Sequence, residues 1–187
     1  MMTAVLKNKS TAVKITVKGA ISVLMIVLAV ALPQIAHIAG GAAAGAVYLP
    51  MYAPALIAGC ILGWQWGLGV GALSPLASFA FTSLLLDSAM PAAARLPYMV
   101  VELAVFGLVS GLFCKKIAKN ALFAFPAVIA AQVAGRLIYF ISAVIFGQSA
   151  AAVWGVIESG LTGLYIQAAI VPVIVLLLSL AVKNDRD

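Results

Sequence analysis

Polar residues are sparse along this chain, and apolar residues fall into long runs at about 19–38, 47–63, 66–86, 96–114, 121–146 and 156–182. Most of these runs come near the roughly 20 residues that a helix needs to cross a ~30 Å hydrocarbon core. The pattern predicts six membrane-spanning helices, or five if 47–86 is a single broken span. The second run is short. Trp64 and Trp66, in an uncharged Gly-Trp-Gln-Trp-Gly turn, mark its end at a membrane interface, where Trp is favoured.

Composition agrees, since 65% of the 187 residues are hydrophobic and 9% are charged, against about 25% charged in a soluble domain. The fold class expected is an all-α membrane protein, one domain over 1–187. The cations set its orientation. Lys7, Lys9, Lys14 and Lys18 precede the first run, Lys115, Lys116 and Lys119 follow the fourth, and Lys183 and Arg186 follow the sixth. Six spans put all of them on one side, the cytoplasmic one, with both termini; five would set the first cluster against the others. The net charge of +6 is therefore a topology signal. It does not indicate nucleic acid, because no basic patch is interleaved with solvent-facing aromatics.

The basic start, the stretch Gly19–Leu32 and the small residues of Ala42–Ala46 also fit a secretory signal peptide. Pro33, Gln34 and His37 make a poor cleavage region, and loss of the segment would upset the charge parity. Cys60 and Cys114 fall near cytoplasmic helix ends, where thiols stay reduced. Two isolated thiols and one histidine make no recognisable metal site.

Small residues recur at i, i+4 spacing: Ala12, Thr16 and Ala20; Gly107 and Gly111; Ala127, Ala131 and Gly135; Gly155, Ser159 and Gly163. Such stripes let helix backbones approach closely in a solvent as apolar as the side chains. They serve packing within the bundle or the docking of another membrane subunit, for which Ala12, Thr16 and Ala20 are the candidates. Between the first two runs, 39–47 is rich in glycine and alanine and reads as a connector or a lid. It leads into Tyr48-Leu-Pro-Met-Tyr-Ala-Pro54, where two prolines each remove a backbone donor. The carbonyls freed there need neighbours, water or a ligand.

Three charges lie inside apolar runs: Glu102, Arg136 and Glu158. A charge near the bilayer centre costs about 2.5–3.5 kcal/mol on insertion scales, so these residues are paired, hydrated or functional. Counting ~1.5 Å of rise per residue, all three belong to the outer half. Arg136 can pair with Glu102 or with Glu158; two acids face one base, which leaves one carboxylate for a ligand. Tyr48, Tyr52, Tyr98, Tyr139 and Trp154 gather at the same level. With Met51, Gln34, His37 and Gln132 they compose an apolar pocket holding a few polar groups, as small-molecule sites usually do. His37 is a packed residue or a ligand contact, and Arg95 with Asp87 reads as an interfacial pair of little weight.

Several segments resemble the substrate-binding S components of energy-coupling factor (ECF) vitamin transporters. They are Leu49-Pro50-Met51-x-x-Pro54, then Gly59, Gly63, Gly67-Leu68, Val70-Gly71 and Pro75, then Glu102-Leu103-Ala104-x-Phe106-Gly107-x-x-Ser110-Gly111, and Gly135-Arg136-x-x-Tyr139. Order and spacing are kept over about 15–180. The resemblance implies a six-helix S-component fold in the bacterial cell membrane that captures a vitamin or vitamin precursor at its outer side. It implies work with a transmembrane coupling subunit, docked through small residues on helix one, and two cytoplasmic ATPases. This chain has no Walker-type loop, and it lacks a clean form of the usual two-alanine docking motif. Leu-Pro-Met-x-x-Pro looks most like the groups for pyridoxine-type compounds and for cobalamin precursors such as α-ribazole. Tyr52-Ala53 departs from the His-Ile of many pyridoxine-like members, and Leu32-Pro33-Gln34-x-x-His37-x-x-Gly40-Gly41 looks closer to the cobalamin-precursor group, with cobalamin itself or haem as further alternatives.

The expected role is therefore non-enzymatic and needs no cofactor. An intramembrane enzyme would need a nucleophile with its base, or a metal cluster, inside the spans. A self-sufficient secondary transporter would show repeated halves with matching broken helices.

Overall fold

The structure is a computed structural model that describes residues 10–41, 45, 47–85 and 90–184, with side chains through 181. Lys7, Lys9, Asp87 and Arg186 lie outside the described residues, as do the side chain of Lys183 and residues 42–44 and 46 of the 39–47 connector. Helix α1 runs Thr11–Gly40, started by Ser10, whose hydroxyl accepts from the Val13 N–H, and ended at Gly41 with a φ of 73°. It extends a good two turns beyond the 19–38 expected, because Lys14 and Lys18 do not stop a helix whose long side chains can snorkel.

Helix α2 is Tyr52–Leu62, α3 is Trp64–Leu85, and α4 is Leu96–Leu112 after a 3-10 turn at Ala93–Arg95. A short α5, Cys114–Lys119, follows a kink at Phe113, then come a 3-10 turn at Ala121–Phe123 and α6, Ala124–Ile145. The last apolar run divides: α7 is Ala150–Ser159 and α8 is Leu161–Asn184, with Gly160 between them. Expected as one helix over 156–182, it breaks where a glycine removes the side chain that would otherwise pack.

Every described element is helical, and five segments are long and apolar enough to cross a membrane: Thr11–Gly40, Trp64–Leu85, Ala93–Leu112, Ala121–Ile145 and Leu161–Ala181. The chain is a multi-pass membrane protein. The second expected span, 47–63, contains instead an 11-residue helix, Tyr52–Leu62. Leu49, with a φ of 49°, and Pro50 interrupt the helical residues before it. At ~1.5 Å per residue α2 rises only about 16 Å. It is also buried on every side, with Ala55, Leu56, Ala58 and Cys60 fully enclosed, as expected of a helix apolar all round. Neighbours α1, α3, α4, α6 and α8 all touch it, so α2 is the centre of the bundle.

Close backbone approach holds this centre together. A Cβ at Gly67 would run into the Gly107 carbonyl, one at Gly71 into the Leu103 carbonyl, and one at Gly59 into Ser110. The Gly107 and Gly111 stripe thus packs inside the bundle, Gly111 against the Trp64 backbone and Gly135 against the Phe106 ring. The expected Trp64–Trp66 turn contracts to Gly63 alone, whose φ of 100° requires glycine; Trp64 is about half exposed and Trp66 packs on the core. Cys60 and Cys114 are both buried thiols. Ala12, Thr16 and Ala20 form an exposed stripe on α1.

Two contacts fix how α1 and the α2 segment lie. Lys18 Nζ donates to the Leu62 carbonyl at 3.1 Å, and a Cβ at Gly45 would stand 2.8 Å from His37 Nε2. Gly45 and residues 47–62 therefore run back along α1 from the level of His37 to that of Lys18.

Candidate ligand-binding site

The break before α2 opens a cavity of about 430 Å³ where α1, the 49–52 turn, the α3–α4 connection, α6 and α7 meet. Pro33, Leu49, Pro50, Met51, Met90, Pro91, Met99 and Val156 supply most of its apolar wall, and His37, Tyr52, Ser78, Arg95, Arg136 and Tyr139 its polar groups. No carboxylate lines it among the described residues.

One buried cluster underlies the polar side. Glu102, fully enclosed on α4, accepts a 2.6 Å hydrogen bond from the Tyr52 hydroxyl on Oε2. Its Oε1 lies 3.0 Å from Arg136 Nη1 in an oblique ion pair without hydrogen-bond alignment. The guanidinium sits 5.4 Å from the Tyr52 ring centroid and 5.7 Å from that of Tyr139. Such cation–π contacts strengthen where water is excluded. Tyr52 meets Phe106 edge-on at 5.0 Å and Tyr139 meets Tyr98 edge-on at 5.3 Å, which fixes both rings. Arg136 Nε and Nη2 are buried with no hydrogen-bond partner among the described residues, as is His37 Nδ1.

Helix periodicity explains why these groups meet. Tyr98, Glu102 and Phe106 are successive i, i+4 positions and all three are buried, so they share the inward stripe of α4. Gln132, Arg136 and Tyr139 form the facing stripe of α6, behind the closely packed Ala127, Ala131 and Gly135. Tyr52 reaches the cluster because the 49–51 break starts α2 at this depth.

Of the residues singled out in the sequence, His37, Met51, Tyr52, Arg136 and Tyr139 are brought to the cavity wall, with Glu102 directly behind. Tyr98 supports Tyr139 from behind. Gln132 spends its amide on the Leu164 carbonyl at 2.9 Å. Gln34 is partly buried on α1, its Nε2 without a partner among the described residues, and is not in the wall. Tyr48, Trp154 and Glu158 are on the exposed surface, Trp154 at 61%. Arg136 thus pairs with Glu102, and the second acid faces away from the cavity.

Three residues that shape the site escaped sequence reasoning. Gln167 donates to the Tyr48 and Leu49 carbonyls at 3.2 and 2.8 Å, so a neighbour satisfies the backbone freed at the break. Ser78 donates to the Met90 carbonyl at 2.9 Å and Thr82 accepts from the Met90 N–H at 2.8 Å, pinning the loop that forms one wall. The signal was available as lone polar residues in apolar runs, which are short of partners by default. Among the described residues no cluster of His, Cys, Asp or Glu could hold a metal ion. Comparison with protein-family models, with curated proteins and with solved structures finds no match for the chain.

Proposed function

We propose that this chain is the substrate-capture subunit of an ECF-type importer in a bacterial cell membrane, taking up a vitamin or vitamin precursor. The observation that carries the proposal is the cavity beside the 49–52 turn, walled by sulfur and aromatic groups over a buried Tyr52–Glu102–Arg136 cluster. It has the mixture of apolar wall and few convergent polar groups expected of a small-molecule site. Leu49, Pro50, Met51, Tyr52, Arg136 and Tyr139 of its wall, and Glu102 behind it, fall within the segments that resemble the S-component pattern.

The role calls for six crossings, which the path of the chain before and through α2 supports. Gly45 and residues 47–62 return along α1 from His37 to Lys18, 19 positions of helix or about 28 Å, the thickness of a hydrocarbon core. With five long helices this makes six passages and puts both termini with the lysine clusters in the cytoplasm. The cavity then faces outward. The exposed stripe Ala12, Thr16 and Ala20 on α1 is the docking face for the transmembrane coupling subunit, which couples the chain to two cytoplasmic ATPases.

A cavity of about 430 Å³ suits a ligand of one or a few rings, such as α-ribazole or a pyridoxine-type compound, better than a cobalamin or haem macrocycle. The test is co-expression with an ECF coupling subunit and its ATPase pair. The chain co-purifies with them and liposomes take up vitamin only when ATP is supplied; sustained uptake by liposomes holding this chain alone would instead make it a secondary transporter.

A further inference from the structure

We infer that the ligand is acidic: a small ring-bearing or aliphatic body with one carboxylate or phosphate head, held by the guanidinium of Arg136 and drawn in by Arg95. The inference rests on the reading of the cavity as a substrate site and adds the charge of the substrate to it.

The lining carries two arginines and no acid among the described residues. Glu102, the single acid of the cluster, is sealed behind the wall, its Oε2 hydrogen-bonded by Tyr52 and its Oε1 3.0 Å from Arg136 Nη1. The Arg136 side chain is nine-tenths buried, yet only Nη1 meets the carboxylate. Nε and Nη2 remain without partners among the described residues. These two nitrogens make one edge of the planar guanidinium fork, the geometry that grips a carboxylate or phosphate through two parallel hydrogen bonds. An unmade hydrogen bond on a buried charged donor is costly, so an acceptor that fills this edge gains what the empty site lacks.

Leu49 closes over this edge of the fork. A Cβ at residue 160 would stand 3.0 Å from Nη2 and 3.0 Å from Leu49 Cδ1, so only a glycine there leaves the guanidinium and Leu49 their places. The head group enters as the Leu49 side chain moves aside. The remaining wall, with Met51, Met90 and Met99 in it, accepts an apolar body of adaptable shape.

The experiment compares matched pairs of one body and two heads on the purified full chain, by thermal shift and calorimetry. The pairs are nicotinate and nicotinamide, lipoate and lipoamide, biotin and its carboxamide, pyridoxal 5′-phosphate and pyridoxal, and α-ribazole with its 5′-phosphate. Inorganic phosphate and acetate are run alone. In at least one pair the acid binds at least about tenfold tighter than its neutral partner. Arg136→Lys, which keeps a cation beside Glu102 but not the planar fork, loses that preference while still folding. Gly160→Ala, which leaves all charges in place, weakens the acid and spares any neutral binder. Stabilisation by phosphate or acetate alone identifies a free-anion site and overturns the substrate claim. Equal binding of acid and amide, an acid preference unaffected by Arg136→Lys, or no binding by any acid overturns it too. If a neutral compound binds and the chain still co-purifies with the ATPase complex, the acidic ligand is wrong and the importer reading stands. Acid binding without co-purification keeps the acidic ligand and removes the importer.

Discussion

Breaking the Arg136–Glu102 pair by removing its cation costs no less than removing the pair whole. Arg136→Met strips the cation from a carboxylate with no solvent exposure, and Glu102→Gln strips the anion from a guanidinium that is nine-tenths buried. At the 3.0 Å separation, with an effective dielectric of about 20, the gross attraction is roughly 5 kcal/mol. Burial costs each ion several kcal/mol of hydration, so the net worth of the pair is much smaller, whereas removal of one partner typically costs about 3–5 kcal/mol. Helices unfolded within a membrane still find polar partners, which limits single hydrogen bonds there to about 0.6 kcal/mol on average and about 1.7 kcal/mol at most. Between these limits we expect a loss of about 3 kcal/mol for Arg136→Met and about 2 kcal/mol for Glu102→Gln, whose amide keeps a bond with Tyr52. The double variant loses no more than the worse single, a coupling of about 2 kcal/mol. Reversible unfolding of the four proteins in mixed micelles with increasing SDS reads all four values. Losses that add to within about 0.5 kcal/mol, as for independent sites, would refute a buried interacting pair.

Gly107→Ala drives a methyl into the Gly67 carbonyl and is expected to cost about 1–3 kcal/mol, read in the same unfolding assay; an unchanged midpoint would contradict the close α3–α4 contact. Gln167→Ala removes both donors to the Tyr48 and Leu49 carbonyls, so stability falls by about 1–2 kcal/mol and calorimetry shows weaker ligand binding as the 49–52 wall loosens. Glu158→Gln, on the exposed face of α7, leaves ligand affinity within about twofold; a larger loss would return that carboxylate to the site. For topology, single cysteines at Asn120 and Ala92, in a background with Cys60 and Cys114 replaced, react with an impermeant maleimide on intact cells at Ala92 alone. Labelling of both from the same side would exclude six crossings.

The long spans were legible because a 20-residue apolar run has one low-energy form in lipid, a helix with every backbone bond made internally. The short central helix was not. A run such as 47–63 reads the same whether it faces lipid or lies inside a bundle, and only the flanking Pro50 and Pro54 hinted at a break. The small-residue stripes were legible as contact surfaces, but not which partner each meets. Gly107 finds Gly67, whereas Gly155 has nothing near it, and both read alike along the chain. Gln167 stood out as a lone polar residue, but its partners were hidden for a related reason, since the carbonyls that it satisfies are more than a hundred positions away.

The charges in the site show where counting along a sequence parts from geometry. Two acids and one base suggest a carboxylate left over for a ligand, but the acids are not equivalent. Glu102 continues the inward stripe of Tyr98 and Phe106, whereas on α7 the buried positions are Val153 and Ile157, and Glu158, one residue on, turns outward. The inward acid is already taken by Arg136 and Tyr52. Donors, not charges, are then in surplus: a guanidinium carries five N–H groups in a fixed fork, and a carboxylate on one side occupies only part of it. The arginine that lines the cavity keeps Nε and Nη2 unpaired among the described residues, so the complement proposed for the site is an acceptor.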